Sequence, residues 1–572
     1  MAVIKPFHIS DKNIVINISF LICDTSLKLL DSDGFSLVVS KYLSSIDQHA
    51  QSELQVFKKQ VSSPKQLIDI YKSLVMFPYK EVIEKSEKDR SLLSLRKEFY
   101  VFTEELYDYW RHFERYGIIQ KKLKSITEDN ESLIDMTEIL SKTILSVYRK
   151  ITKNISGKSI QVYRQTPAGL NAGLIVSKGF WKQPLAYSNL EGIDVIDTVM
   201  LRTPFIGHSV MNTRSGLFKE SFENPLPHMK LTQRHWLCYP IKVGTLLAYV
   251  YFHRDYLNHG VALSNLFETV PIKDHNKRSP NLVFVFGDTL EEYDNTYYHD
   301  QTNDIYIGYV SRNQKNDYFG YMKKMLLTLH NVYMIDHFRL PIHGAMVSIT
   351  LENNQKKNIA IIGDSGAGKS ETLESLRFVG EKSIKELVTV FDDMGVFYFE
   401  GDQVYAVGTE TGAFVRLDDL ENGYAYKEID RAFFLNPERV NARVILPVTS
   451  YETVITPHKV DICLYANNFE DLENPIRLFH NAEEALQVFR EGKRKAKGTT
   501  SESGIVTSFF ANPFGCVQKQ AQTEVLLQKT FQVLFEQGIV VGELYTKLAV
   551  SGKEHSGVNE AAKALLEIIV LK

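Results

Sequence analysis

The sequence has few cysteines, almost no excess of either charge and no long apolar run, and each absence excludes a class of protein. Its four cysteines, Cys23, Cys238, Cys463 and Cys516, are far apart and form no C-x-x-C pair, so the sequence indicates neither a metal knuckle nor a redox motif. They fit free thiols in a reducing compartment. With 66 Lys+Arg against 69 Asp+Glu, the net charge of −3 argues against a general polyanion binder, and we expect no nucleic-acid partner.

The most apolar stretch near the N-terminus, residues 14–30, is interrupted by Asn17, Asp24 and Lys28. We therefore expect neither a signal peptide nor a membrane span, and a cytoplasmic location. Hydrophobic residues make up 44% of the chain and charged residues 24%, which is typical of a folded globular protein. The length of 572 residues suggests about three or four domains.

Residues 1–155 are expected to form a mostly helical region. Its clearest signal is an apolar stripe at steps of three or four, which predicts a helix that ends near Gly117 and buries its apolar face in the core. The stripe consists of Leu95, Phe99, Phe102, Leu106, Trp110 and Phe113. A polar stretch containing Gly157, residues 152–159, predicts a domain boundary.

Residues 156–290 are expected to form a mixed α/β middle domain. Apolar runs at 236–241 and 246–252 around a Val243-Gly244 turn predict a β-hairpin, and residues 282–286 predict a short buried strand. From 291 to 572, strands, glycine turns and short helices alternate, as in a nucleotide-binding domain. The predicted fold class is therefore α/β of the mixed α+β kind. Residues 1–290 could also carry a surface for a protein partner.

The strongest motif begins at Gly363, where the sequence Gly-Asp-Ser-Gly-Ala-Gly-Lys-Ser fits the phosphate-loop pattern G-x-x-x-x-G-K-[ST]. An apolar strand, 359–362, precedes it, and a helical pattern that Gly380 can end follows it. Glycines let backbone N–H groups curl around an anion, and the helix N-terminus adds positive charge. Lys369 can reach the β- and γ-phosphates, and Ser370 can ligate a divalent metal. The residues expected to bind nucleotide are Gly363, Asp364, Ser365, Gly366, Ala367, Gly368, Lys369, Ser370 and Glu371.

An acidic pair follows the phosphate loop. Residues 387–391 predict an apolar strand that ends at Asp392-Asp393. An Asp pair after a strand is usually a turn, but one βαβ step after a phosphate loop such a carboxylate can hold a metal or orient a nucleophile.

The order of further motifs resembles a known family. Residues 316–560 resemble the catalytic half of ATP-dependent phosphoenolpyruvate carboxykinases and, locally, their structural relatives the bacterial HPr kinase/phosphorylases. Each matching segment other than the phosphate loop is weak alone, and their shared order carries the resemblance. The segments are 318–324 ending in Met-Lys-Lys, 340–344 with His343, the Gly-Val-Phe-Tyr-Phe-Glu-Gly of 395–401, 474–478 with Arg477, 497–504 on the adenine side, and 509–515 at a late core strand.

The resemblance implies a C-terminal phosphate-loop domain of carboxykinase/HPr-kinase type with ATP and Mg²⁺ or Mn²⁺ as its cofactors. Lys324, His343 and Asp393, with Ser370 and Asp392, then hold the metal. Arg477 would stabilise the phosphoryl group in transfer. A lysine ligates a metal only when neutral, so the pKa of Lys324 must be depressed.

Each of these three long side chains also has a plainer interpretation. Lys324 could face water from a helix, His343 could be a core histidine with its hydrogen bonds satisfied, and Arg477 could cap a helix. The basic run 493–497 could lie near phosphate or form a solvated charged face.

The sequence departs from the carboxykinase pattern on the substrate side. The N-terminal motif Arg-Ser-Pro-Lys-Asp-Lys, whose arginine grips the substrate carboxylate, has only a faint counterpart in Arg214-Ser215-Gly216. The substrate-side tyrosine cannot be assigned between Tyr318 and Phe319. Residues 501–504 lack the family's arginine, and the first 290 residues do not resemble the carboxykinase N-terminal domain. The loop itself, with Glu371, looks more like that of HPr kinases.

Three functions therefore stay open. One is carboxykinase chemistry, in which oxaloacetate and ATP give phosphoenolpyruvate, CO₂ and ADP. A second is a kinase that acts on a protein or small-molecule hydroxyl, with an aspartate as general base. The third is a nucleotide-responsive binding protein without turnover.

Overall fold

The computed structural model describes residues 7–10, 13–17, 23–46, 52–118, 128–158, 161–166, 169–178, 181–274, 278–420, 428–496 and 504–571. The chain forms two compact units, Met1–Ile160 and Gln161–Lys572. The polar stretch 152–159 adjoins this division, although Ser159 lies outside the described residues. The parts before and after residue 290, expected as separate domains, belong to one compact unit.

The N-terminal unit is mostly helical. Ser63 shows why its helices begin where they do, because its hydroxyl accepts a hydrogen bond from the amide of Gln66 and Pro64 occupies the first turn. The helices span Ser26–Leu30, Asp33–Ser45, Ser52–Gln60, Pro64–Met76, Tyr79–Lys85, Arg90–Ser94, Arg96–Arg111 and Glu128–Ser156. A small sheet has the strands Phe7–Ile9, Asn13–Asn17 and Glu114–Ile118.

The predicted apolar stripe lies in the core of this unit. Phe99, Phe102 and Leu106 are buried on the helix Arg96–Arg111. The helix ends six residues before Gly117, because the chain there enters the strand Glu114–Ile118, which pairs in parallel with Asn13–Asn17. The predicted core face is confirmed, and the predicted helix end is wrong.

The second unit is a mixed α/β structure with several sheets. The predicted hairpin is confirmed, since Trp236–Val243 pairs antiparallel with Leu246–His253 around Gly244. The predicted buried strand is also present, as Leu282–Asp288. These strands belong to a ten-stranded sheet that comprises Val162–Tyr163, Ala172–Lys178, Asp194–Leu201, Lys219–Glu220, Trp236–Val243, Leu246–His253, Glu268–Thr269, Leu282–Asp288, Thr296–Asp300 and Ile305–Ser311.

An eight-stranded mixed sheet carries the phosphate loop. The strand that leads into the loop, Lys356–Ile362, pairs antiparallel with Leu340–Leu351 and parallel with Ile462–Asn467. The acidic strand, Ile384–Glu400, pairs with the other edge of Leu340–Leu351. The order of strands is His458–Lys459, Gln403–Gly408, Ile384–Glu400, Leu340–Leu351, Lys356–Ile362, Ile462–Asn467, Val540–Tyr545 and Ile476–Leu478.

A four-stranded sheet joins distant parts of the second unit. Phe205–Gly207 pairs in parallel with Phe433–Leu435, which is followed in the sheet by Arg443–Pro447 and Gly412–Arg416. A separate two-stranded ribbon consists of Lys493–Lys495 and Ile505–Thr507.

The longer helices of the second unit pack beside these sheets. The helix Phe319–Asp336 is buried on nearly every side. The helices are Leu257–Ala262, Phe319–Asp336, Lys369–Val379, Tyr451–Ile455, Ala482–Glu491, Gln520–Glu536 and Glu554–Leu571. Among the residues described, none of the helices combines the length and apolar character needed to cross a bilayer.

Candidate nucleotide and metal site

The phosphate-loop motif has the strand-loop-helix form that the sequence predicts. The buried residues 359–362 end the incoming strand, and the outgoing helix Lys369–Val379 has Gly380 at its C-terminal cap. Gly368 has φ +93°, and a Cβ there would lie 2.6 Å from Thr546 Oγ1. Both observations require glycine at this position.

The carbonyl groups of the loop are held from outside. Thr546 Oγ1 donates to Ala367 O at 2.8 Å, and Asn468 Nδ2 donates to Gly366 O at 2.9 Å. Lys369 Nζ is buried and donates to Asp364 O at 3.0 Å. Two loop amides donate within the loop, from Ser365 to Asp364 Oδ1 and from Ala367 to Asp364 O. An anion-binding loop presents its remaining N–H groups to the ligand.

The acidic strand reaches the loop through its first aspartate. Ser370 Oγ donates to Asp392 Oδ1 at 2.6 Å. Burial raises the pKa of Asp392, and the hydrogen bond from Ser370 partly opposes this rise. Ser370 and Asp392 are therefore brought together as predicted for a metal pair.

The strand does not end at the aspartates, as the sequence pattern suggested. It continues to Glu400, because its pairing with Leu340–Leu351 extends past the acidic pair. The strand is irregular near the acidic pair. Its register shifts opposite Met346/Val347. Asp393 has φ +142°, a backbone conformation that L-residues rarely adopt. This backbone turns the Asp393 side chain toward helix Phe319–Asp336 and His343.

Two predicted metal residues, Lys324 and His343, converge on a third, Asp393. Lys324 Nζ lies 2.9 Å from Asp393 Oδ2, and His343 Nε2 lies 2.9 Å from Asp393 Oδ1. Burial opposes ionisation of Asp393, but Lys323, Lys324 and His343 outweigh it and hold its pKa well below the usual range. Asp393 is therefore a carboxylate with a fixed cationic environment.

Lys324 and His343 both have surroundings that suit a metal ligand. Burial lowers the pKa of Lys324 in spite of the nearby Asp393 carboxylate, so its neutral form is favoured relative to an exposed lysine. His343 Nδ1 lies 2.8 Å from Ala511 O, while Nε2 faces Asp393. A neutral imidazole has a single N–H, so one of these contacts needs an added cation, either a proton or a metal ion. The donor set fits a divalent cation on this observation.

The metal residues named from the sequence do not form a single cluster of acidic and histidine side chains. Within the described ranges, no cluster of three or more His, Cys, Asp or Glu residues is arranged to hold a metal. Lys324 and His343 contact Asp393, whereas Ser370 contacts Asp392.

The segment 509–515 is a turn and loop rather than the expected late core strand. Phe509–Ala511 forms a 3₁₀ turn, and Phe510 and Ala511 have positive φ angles. Its site contacts are Ala511 O at His343 and the Phe514 ring, whose centroid lies 4.4 Å from Lys324 Nζ. Of the segment 497–504, residues 497–503 lie outside the described residues.

The basic run 493–497 contains one residue near the phosphate loop and two residues on a solvated face. Arg494 is buried, and its Nε donates to Asp364 Oδ2 in the phosphate loop at 2.8 Å. Burial disfavours the Asp364 carboxylate, but His343 and Arg494 lower its pKa. Lys493 and Lys495 are exposed, and Lys497 lies outside the described residues.

Arg477 is not brought to the site. Its Nη2 donates to Glu484 Oε1 at 2.6 Å at the start of helix Ala482–Glu491, and the side chain is 46% exposed. Its strand, Ile476–Leu478, is the outermost in the sheet, two strands beyond Ile462–Asn467. Its surroundings match the plainer interpretation of an arginine at a helix end.

Arg443 is the arginine that the sequence interpretation missed. It comes from the four-stranded sheet and lines one cleft together with Lys369, Ser370 and both aspartates of the acidic pair. Its guanidinium lies 5.4 Å from the centroid of the Phe414 ring. In the part of the chain that the structure describes, Arg443 Nε is buried without a hydrogen-bond partner. Only long-range strand pairing brings this residue here, so local pattern gave no signal.

Arg214, the faint sequence counterpart of the substrate arginine, also lies near the metal residues. Its guanidinium is 5.5 Å from the centroid of the Phe514 ring, the same ring over which Lys324 lies. Burial lowers the pKa of Arg214, with Tyr321 and Tyr318 opposing the shift. Both Tyr318 and Phe319 are buried.

A second cavity, within the N-terminal unit, has different chemistry. Phe7, Val38 and Trp110 contribute to its lining, and no lysine or arginine of the described residues does. It therefore offers no cation to a phosphate.

Comparison with known proteins does not assign a function to the chain. No family model matches its sequence, and no curated protein matches it.

Proposed function

We propose that the chain transfers the γ-phosphoryl group of ATP with the help of Mg²⁺ or Mn²⁺, and that its C-terminal region has the carboxykinase/HPr-kinase-like phosphate-loop fold. The observation that carries this proposal is the convergence of Lys324 and His343 on Asp393, beside a phosphate loop whose Ser370 contacts Asp392. Lys324, His343 and Asp393 form one set of contacts, and Ser370 and Asp392 form a second, adjoining through the sequence-neighbouring aspartates. The proposed location is the cytoplasm.

The first form of this proposal is carboxykinase chemistry. In that reaction the C–C bond to the departing carboxylate of oxaloacetate breaks, and its electron pair leaves an enolate and CO₂. The enolate oxygen then bonds to the γ-phosphorus of ATP while the bond from that phosphorus to the bridging oxygen breaks, which gives phosphoenolpyruvate and ADP.

The residues of the chain have distinct parts in this scheme. Lys369 and the loop amides bind the phosphates. Arg443, rather than Arg477, offsets negative charge at the γ-phosphate, because it lines the cleft together with Lys369. Lys324 would stabilise the enolate charge. Arg214, over the same Phe514 ring as Lys324, binds the substrate carboxylate. A divalent cation held by Asp393, His343 and Lys324, with Ser370 and Asp392, would supply further charge neutralisation.

The direct test is phosphoenolpyruvate formation followed by ³¹P NMR. The protein is incubated with ATP, oxaloacetate and Mn²⁺, and we expect phosphoenolpyruvate and ADP to appear in equal amounts. Lys324→Met should abolish the signal, while Lys459→Met, at an exposed lysine on an edge strand, should leave it unchanged. Absence of product with the wild-type chain would contradict the carboxykinase assignment.

A kinase that acts on a hydroxyl group is the second candidate. The cleft continues past Ser370 along Glu371 and Arg377 toward the apolar side chains of Leu387 and Leu420, which gives it room for an acceptor larger than oxaloacetate. Asp392, whose pKa is raised by burial, would act as general base toward the hydroxyl. Transfer of label from γ-labelled ATP to a protein or small molecule of a lysate would support this function.

The third possibility is nucleotide binding without turnover, with a protein partner bound by residues 1–290. ATP binding that is lost in Lys369→Ala, together with no product in either assay, would favour it.

A further inference from the structure

A second lysine, which the proposed reaction does not use, lies behind the metal residues. Lys323 Nζ lies 2.6 Å from Asp393 Oδ2 and 3.0 Å from Glu410 Oε1. Its side chain is fully buried, whereas the neighbouring Lys324 is 17% exposed. Consecutive helix residues point about 100° apart, so the two lysines reach the same carboxylate oxygen from different sides.

Glu410 is the counter-charge of this lysine. Its side chain is 1% exposed, and within the described ranges Lys323 is the only cation in ion-pair contact with it. A carboxylate this deeply buried is costly unless a cation compensates it. Burial raises the pKa of Glu410 to about 7, and the charge of Lys323 opposes this rise. Above that pH the two charges balance each other within the pair.

The turn that carries Glu410 has little freedom to move. Thr409 Oγ1 donates to Met394 O at 3.1 Å, and the amide of Thr411 donates to Leu266 O at 2.7 Å. At Gly412 a Cβ would lie 1.9 Å from Asn265 O, so the backbone is closely packed there. Glu410 consequently stays fixed opposite Lys323.

The charges around Asp393 explain why a fixed acid is needed. Asp393 faces two lysine side chains and one histidine, and without Glu410 a full lysine charge would be balanced by Asp393 alone. A carboxylate that is neutralised in this way attracts a divalent cation less strongly. With Glu410 present, Lys323 is shared between two acids.

We propose that Glu410 is a positioning residue of the metal site, which balances the charge of Lys323 so that the Asp393 carboxylate remains available to a divalent cation. This inference rests on the proposed function, because it takes the cation site as given. It adds that affinity for the cation depends on a residue that does not contact it.

The experiment measures Mn²⁺ binding by the electron paramagnetic resonance signal of free Mn²⁺, at constant pH and without nucleotide. Glu410→Gln removes the charge with little change in shape, and we expect Mn²⁺ affinity to fall about tenfold or more. The double variant Lys323→Met/Glu410→Gln removes both charges, and we expect affinity to return to within about threefold of wild type. Glu400→Gln, at an exposed acid on the acidic strand, is the matched control and should bind like wild type.

Recovery of Mn²⁺ affinity in the double variant would show that Glu410 acts through its charge. If Glu410 had only a structural role, a second substitution would not restore the affinity. If the wild-type chain binds Mn²⁺ and Glu410→Gln binds it equally tightly, this inference fails and the proposed function stands. If the double variant is as weak as Glu410→Gln, the inference also fails. If wild type shows no saturable Mn²⁺ binding, both the proposed metal function and this inference fail.

Calorimetry of ATP binding without metal checks that each variant is folded, since neither Lys323 nor Glu410 belongs to the phosphate loop. We expect it to be unchanged in every variant. Should Glu410→Gln not fold, the double variant still decides the matter, because it buries neither charge. It must then fold and bind Mn²⁺ within about threefold of wild type, and weaker binding would overturn the proposal.

Discussion

Ser370 Oγ donates a 2.6 Å hydrogen bond to Asp392 Oδ1. The residue directly after the phosphate-loop lysine is thereby tied to the first of the two aspartates, while the second aspartate holds Lys324 and His343. The phosphate loop and the contacts around Asp393 are therefore linked by one hydrogen bond and one peptide bond. Substitutions at the loop and around Asp393 should nevertheless have separable effects, because the proposed function assigns the nucleotide to one and the cation to the other.

On the nucleotide side, Lys369→Ala should abolish tight ATP binding. Loss of charge-assisted hydrogen bonds to phosphate costs about 2–3 kcal/mol, which corresponds to about a hundredfold in affinity. Isothermal titration calorimetry without metal measures the effect. Lys382→Ala, at an exposed lysine just beyond the same helix, should bind ATP like wild type. Equal affinities for the two variants would contradict the loop assignment.

On the metal side, His343→Gln should reduce metal-dependent turnover about a hundredfold while the fold is kept. The reason is that Nε2 of His343 faces Asp393 at the point where the cation is expected. The measurement is the rate at a series of Mn²⁺ concentrations, with circular dichroism to check folding. His337→Gln, at a half-exposed histidine, serves as control. Full turnover in His343→Gln would show that the metal site is wrongly assigned.

The two arginines provide a test that depends on the structure rather than the sequence motif. Arg443→Met should lower turnover about a hundredfold, since it removes a positive charge from the cleft at the phosphoryl group in transfer. Arg477→Met should change turnover no more than about twofold, because its ion pair with Glu484 is partly exposed and lies outside the cleft lining. Steady-state kinetics of both variants decide between them, and the reverse order of effects would restore Arg477 to the site.

Gly368→Ala should destabilise the chain and impair nucleotide binding together. A Cβ at φ +93° would meet Thr546 Oγ1 at 2.6 Å, so we expect a loss of about 1–3 kcal/mol in the free energy of unfolding. Gly401→Ala has a similarly positive φ of +60° but nothing within 4 Å, so it should cost about 1 kcal/mol or less. Urea unfolding and ATP titration of both variants measure the difference. The same cost in both would mean that the loop is not tightly packed.

The sequence predicted those parts of the fold that depend on local pattern. The phosphate-loop strand and helix, the hairpin around Gly244 and the buried face of Arg96–Arg111 all follow from periodicity and turn residues. The family resemblance also named Lys324, His343 and Asp393 together as site residues.

Residues placed by long-range pairing could not be found in this way. Arg443 reaches the cleft because its strand pairs with Phe433–Leu435 and Gly412–Arg416, and Glu410 reaches Lys323 through a turn fixed by Leu266 and Met394. The extension of the acidic strand past Asp393 has the same origin. It depends on the length of the neighbouring strand Leu340–Leu351, which short-range hydropathy does not report.

The pairing of Phe205–Gly207 with Phe433–Leu435 limits how this molecule can be divided. Expression of the phosphate-loop region from residue 291 onward would remove the parallel neighbour of Phe433–Leu435 and, with it, Arg214. Such a fragment would carry the nucleotide loop and the acidic strand yet present an open sheet edge prone to self-association. Fragments of the second unit should therefore begin upstream of Phe205, so that they keep Arg214 and the parallel neighbour of Phe433–Leu435.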